Sequence, residues 1–504
     1  MASTYKRDDA ITSALAANKL DLRAILSVVL GATAPLTVAA GVVATAFAVT
    51  GLVNLPAGFI VVGLVLALFS VRYVAMAQRI GYSGAFYSYI AQGLNKALGV
   101  GGAWVALLAY NLLQVGLYGA AGTAANPLAQ QYLGVDLPWW VFALIAWAIV
   151  GTLGLLNIKI SGRVLLVLLA AEMLIILIYS ISFATHPAGS GAALDAFSPT
   201  ALFQAGGGAL LAIAVLGFVG FESAVVYTEE TRNPHRTIKT ATFASIAVVG
   251  ALYALSSWAL IVTIGPDKIV AAAQEQGPGL LFGTAGEQLG ATWADIGSVL
   301  FVTSLLAAMI SFHQTTARYT FVLGRERVFP VQLGTTRADG VPRLASMIQT
   351  LIGLAVILTY AIAGWDPLVQ LFFYGGTSGG FGVLFLIFWT SIAVWTYFRR
   401  HQHEENAWRS TVAPLLSIVA VAIVLVLVLA NFATLLGVPE SSPLRWGVPI
   451  AFLIVALLGT LYGMWLRFAR PDVYAVIGLG PTATSHGVVR TSAGDHAAHR
   501  REDL

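Results

Sequence analysis

A chain of 504 residues in which 58% are hydrophobic and only 10% charged, with mean hydropathy +0.82, is far too apolar for a soluble domain, where about a quarter of residues carry charge. Lys and Arg (27) nearly balance Asp and Glu (23), so the net charge of +4 indicates no nucleic-acid partner, and the information lies in where the positive charges fall. Cysteine is absent, which excludes disulfides, thiolate metal sites and a thiol nucleophile.

Residues 1–24 are polar and lack the apolar core and cleavage site of a signal peptide, so they read as a cytoplasmic tail. A bilayer core needs about 20 apolar residues per helix. Twelve segments meet that length: 25–49, 54–78, 98–125, 138–156, 164–184, 201–227, 240–264, 295–317, 344–363, 368–398, 411–432 and 446–468. Residues 185–200 and 265–294 read as the two long outside loops, with room for a short surface helix over 267–276. The tail over 470–504 has no apolar period and reads as disordered. Of the 27 Lys and Arg, all but Lys268 and Arg445 fall on one side when both termini are cytoplasmic. The positive-inside bias therefore gives a multi-pass protein of the cytoplasmic membrane with both termini inside.

Two helices are interrupted where the membrane is deepest. The first reads GATAP over 31–35, where Pro35 removes a backbone donor and Gly31 lowers the barrier to leaving the helix. The sixth breaks at Gly217 and Gly220 around Phe218 and keeps a carboxylate at Glu222. Lipid satisfies no freed amide or carbonyl, so such breaks persist only beside a cavity or other protein. Breaks in corresponding positions point to a five-plus-five inverted repeat, 25–184 and 201–398, with 411–468 as two further helices and a substrate site at the midplane.

The stretch GFVGFESAVVYTEETRNPHRTI resembles the sixth-helix signature of the amino acid-polyamine-organocation (APC) superfamily of transporters. GATAPLTVAAG is similar to that family's unwound first helix, GYSGAFYSYIAQG to its loop between the second and third helices, and RYTFVLGRERVFPVQLGTTRADGVP to its loop after the eighth. The likeness covers most of residues 20–470 and implies a LeuT-like, broken-helix amino acid permease. It also implies that the first break, at Ala32, Thr33, Ala34 and Pro35, offers amides to a substrate carboxylate. The sixth break, Leu216, Gly217, Phe218, Val219 and Gly220, would receive the amino group on carbonyls, with Phe218 as a lid. The bland side chains at Leu216 and Gly217 weigh against a cationic substrate.

Glu172 lies eight residues into the fifth helix, about 12 Å deep. A carboxylate there is protonated, paired or facing water, which makes it the first candidate for coupling H⁺, with Na⁺ left open. Glu222 and His313 are further coupling candidates, each with helix capping or packing as the alternative. Asn111 and Gln114, with Tyr118, share one face of the third helix and either line the substrate path or bond between helices. The glycine run at 374–380 is expected to interrupt the tenth helix as a gate carrying Tyr374. Glu229, Glu230, Arg325, Arg327 and Arg337 are either gate partners or topology markers.

The expected function is a permease moving an amino acid or related amine by alternating access, as a proton symporter; an exchanger and a Na⁺-coupled carrier remain alternatives. No metal-ligand cluster or catalytic constellation stands out, so neither enzyme activity nor a cofactor is expected. The expected partners are the small-molecule cargo, the coupling ion and the bilayer. Oligomeric state is unread.

Overall fold

The computed structural model describes residues 15, 19–81, 84–156, 158–189, 193–337, 340–401 and 412–480. Among the described residues, eleven helices are long and apolar enough to span a membrane, and a twelfth apolar helix is shorter. In chain order they are α1 (Leu22–Thr50), α2 (Leu55–Ile80), α3 (Lys96–Leu133), α4 (the shorter one, Trp139–Leu155), α5 (Arg163–Thr185) and α6 (Gly207–Glu230). There follow α7 (Pro234–Ile264), α8 (Ala291–Arg325), α9 (Arg343–Ala363), α10 (Pro367–Arg400), α11 (Ala413–Ala430) and α12 (Leu444–Ala469). Helix α4 has 17 residues, about 25 Å at 1.5 Å each, just under the thickness of a bilayer core.

Local chemistry sets the ends. Asp21 caps α1 by accepting from the Ala24 amide at 2.9 Å, Asn95 caps α3 through Leu98 at 2.9 Å, and Asp366 takes two amides at the start of α10. Leucine, isoleucine and valine side chains such as Leu64, Val167, Ile181 and Val426 stand exposed on the perimeter, the pattern of a body solvated by lipid rather than water. The two interrupted helices are the innermost: 89% of the most apolar stretch of α1, and likewise of α6, is buried, against 28% for α9 and α12. Helix α2 packs on α7 and α3 on α8, pairing helices five apart.

Three features differ from the sequence expectations. The segment 265–294 carries, besides the short helix Ile269–Gln276 for which the sequence left room, a second one, Leu280–Leu289, which buries Leu280, Leu281 and Ala285, an apolar face masked by the surrounding glycines. The glycine run of α10 does not interrupt it, because Tyr374–Arg400 is one continuous helix. Its glycines instead admit α3, whose Ala109 and Leu112 carbonyls would lie 2.7 and 2.9 Å from a Cβ placed on Gly379 or Gly375. The irregularity sits one step earlier, in the π-wound turn Pro367–Phe373. Finally, Pro471–Val476 is helical where the disordered tail was expected to begin, while 481–504 lie outside the described residues.

Candidate functional site

Helix α1 is regular to Thr33, turns through Ala34 in the left-handed region (φ 44°) and restarts at Pro35, whose missing N–H suits the first position of a helix. Helix α6 is regular to Leu216, passes through Gly217–Gly220 and resumes as a 3₁₀ helix, Phe221–Glu230. The two breaks touch. Gly220 holds φ 115°, and a Cβ there would lie 2.8 Å from both the carbonyl carbon and the Cβ of Ala32. Only glycine permits this crossing.

A cavity of about 150 Å³ lies beside it. Its walls include Ala32, Thr33, Ala34 and Thr37 of α1, Leu216 and Val219 of α6, and Leu113, Phe312, Phe372 and Phe373 from α3, α8 and α10. No residue lining it carries a formal charge. It runs along the second half of α1, through Gly41 and Thr45, towards Leu435 and away from the face that holds Lys19, Arg23 and Arg325.

On that basic face, ion pairs join α6 to α8. Arg318 grips Glu230 with two bonds of 2.6 and 3.0 Å and lies 4.5 Å from the Tyr227 ring centroid, all buried. Arg325 grips Glu229 at 2.7 and 2.8 Å. The chain before α1 adds a parallel backbone bridge: the Lys19 and Leu20 amides donate to the Glu230 carbonyl, and Arg232 donates back to Leu20. Bidentate Arg–carboxylate pairs fix geometry as well as charge.

Glu172 lies behind the first break, 1% exposed. Ser304 Oγ donates to its Oε2 at 2.7 Å, and the Leu36 amide faces the carboxyl group. Ser304 in turn accepts from the Thr37 hydroxyl at 3.2 Å and the Thr37 amide at 3.4 Å. Glu172 Oε1 has no hydrogen-bond partner, and Tyr253, whose hydroxyl donates to the Thr33 carbonyl at 3.0 Å, is a near neighbour. Glu222 caps the second half of α6. Its Oε2 accepts from the Gly220 amide at 2.9 Å and its Oε1 from the Tyr110 hydroxyl at 2.8 Å.

The remaining candidates are placed elsewhere. Phe218 does not line the cavity: it is fully buried on the other side of α6, with ring centroids 6.2 Å from Phe59 and 6.1 Å from Tyr253. The aromatic walls are Phe312, Phe372 and Phe373, which the sequence reading missed; the signal was the apolar pair directly before the glycine run. Gly217, Pro35 and Tyr374 border the breaks or the π-wound turn without lining the cavity. Asn111, Gln114 and His313 form a separate interhelical network. Gln349 donates to Asn111 at 2.9 Å and to Gln114 at 2.7 Å, and the His313 ring contacts Gln114 at 3.3 Å and Ser346 at 2.8 Å.

A family model described as "Amino acid permease" matches residues 20–460. Among curated relatives, the lysine-specific permease of Lactococcus lactis is 24% identical over 361 residues, covering 68% of each chain. The low-affinity putrescine importer of Escherichia coli is 21% identical over 274 residues, covering 52% of this chain and 57% of the importer. A branched-chain amino acid permease of Lactococcus lactis is 23% identical over 338 residues, covering 63% of this chain and 70% of the permease. With the match running through both broken helices, this chain belongs to the amino acid permease family, and is a multi-pass membrane transporter rather than an enzyme.

Proposed function

We propose that the chain is a secondary active carrier that moves an amino acid or related amine across the cytoplasmic membrane by alternating access, driven by proton symport. One observation carries the reading: an uncharged cavity at the crossing of two broken helices, running away from a face where ion pairs bridge α6 to α8. This is the arrangement of one end state of a rocking carrier. The bias of Lys and Arg supports a cytoplasmic basic face, so the cavity would load from outside.

Glu172 is the proposed proton site. It is enclosed, has one oxygen without a partner, and is tied through Ser304 to Thr37 on the cavity wall. Gain or loss of its proton therefore acts on the α1 break. In proteoliposomes, uptake should saturate and show counterflow. For one proton per cargo, a gradient of one pH unit should drive about tenfold accumulation. Glu172→Gln should abolish that accumulation while sparing exchange; intact pH-driven accumulation in the variant would remove Glu172 from coupling.

A further inference from the structure

We propose that the cargo is an apolar monoamine without a carboxylate, a statement that rests on the carrier reading above and narrows it. The argument is an accounting of backbone donors at the two breaks. In α1, the Ala34 amide donates to Gly31 at 3.1 Å, Pro35 has none, the Leu36 amide faces Glu172, the Thr37 amide contacts Ser304, and the Val38 amide donates to Ala34 at 3.1 Å. In α6, the amides of Gly217, Phe218 and Val219 close tight turns onto Ala214, Val215 and Leu216, and the Gly220 amide donates to Glu222. Each restarted half-helix thus already has an internal carboxyl group at its positive end, and of the amides an anionic cargo group would seek, all but that of Leu36, which faces the Glu172 carboxyl group, have acceptors.

The opposite polarity keeps capacity to spare: the Gly31, Thr33 and Leu216 carbonyls each accept one bond, from Ala34, Tyr253 and Val219. The first halves of α1 and α6 end at Thr33 and Leu216, both on the cavity wall, so two negative helix ends point at one space. Backbone carbonyls keep a second lone pair when one is used. The field and the acceptors favour one ammonium group. The bland side chains at Leu216 and Gly217 therefore argue against a second cationic group, not against the first. Val38, Leu113, Leu117, Phe312, Phe372 and Phe373 supply an apolar body site; no charged side chain lines it, and the Thr33, Thr37 and Thr377 hydroxyls on the same wall already donate to Leu30, Ser304 and Leu435, which leaves Thr45.

Purified full-length protein is tested against matched pairs that differ only by the carboxylate: 3-methylbutylamine with leucine, 2-phenylethylamine with phenylalanine, and putrescine as a diamine. Thermal stabilisation, which grows as RT ln(1 + [L]/Kd), should appear with a monoamine and be at least about tenfold weaker in apparent affinity for its amino acid and for putrescine. Leucine or phenylalanine binding as tightly as its amine overturns the proposal, as does preference for putrescine or a panel in which nothing binds. Counterflow of the same compounds separates this from the carrier reading. Amino acid uptake with inert amines sinks the amine proposal alone, whereas a monoamine that binds without saturable flux sinks the carrier reading and leaves the site chemistry standing.

Discussion

Gly220 shows how one residue fixes the crossing. Its positive φ and its 2.8 Å approach to Ala32 mean that a single methyl group strains the backbone and forces the two breaks apart. Gly220→Ala should lower the melting temperature, with overpacking worth about 1–3 kcal/mol, and should reduce cargo binding at temperatures where the variant is still folded. Unchanged binding in the folded variant would separate the crossing from the site. The importance of this glycine was legible because lipid leaves so few reasons for a polar or flexible break in an apolar helix. The direction of Phe218 was not. Rotation about a helix axis is decided by partners far along the chain, here Phe59 and Tyr253, and a glycine-flanked aromatic carries no periodicity from which to read it.

At the scale of elements, the pairs Glu230–Arg318 and Glu229–Arg325 join α6 to α8, with the chain before α1 bridged to the same segment. Charges at a helix end read equally well as topology markers, and only their burial and bidentate geometry distinguish a closure from an anchor. Removing one partner leaves a buried charge, a loss of about 3–5 kcal/mol for the closed state if nothing relaxes. Glu230→Gln should therefore populate the state open to the basic face. Because the chain has no cysteine, a thiol at Ala308→Cys on the cavity wall reports this directly: an impermeant maleimide should label it from the basic face in Glu230→Gln but not in its absence. Equal labelling would mean the pair is only an anchor. The network of Asn111, Gln114, His313, Ser346 and Gln349 is the contrasting case. It joins α3, α8 and α9 away from the cavity, so His313→Gln should leave pH-driven uptake within about twofold, and loss of coupling would return His313 to the proton path.

The whole molecule is tied together on its basic face by a carboxylate in none of the membrane helices. Glu326, one residue past α8, is fully buried, accepts from the Tyr87 hydroxyl in the helix Ala85–Gly93, and takes the Gly478 and Gly480 amides at 2.7 and 2.8 Å. Gln92 and Lys96 bond to Gly478 and Ala475 carbonyls beside it. The turn after α12 is thereby held against the chain leading into α3 and the chain leaving α8. Burial pushes the Glu326 carboxyl up to about 7, against the opposing pull of Tyr87, the two amides and Arg325. An undocked, solvated Glu titrates near 4.3. The docked state therefore binds the proton more tightly, so docking is strongest below about 4.3, weakens as pH rises through about 7, and is level above. Val473 is buried and Ala475 exposed on this segment, so thiols placed there singly give a ratio of protected to reference labelling that cancels the pH dependence of thiol reactivity. The ratio should rise between pH 5.5 and 8 and become flat in Glu326→Gln, which keeps a carbonyl acceptor but no titratable proton. A rise that survives in Glu326→Gln would assign the pH response to another group, and a flat ratio in the parent would mean that the donors around Glu326 outweigh its desolvation.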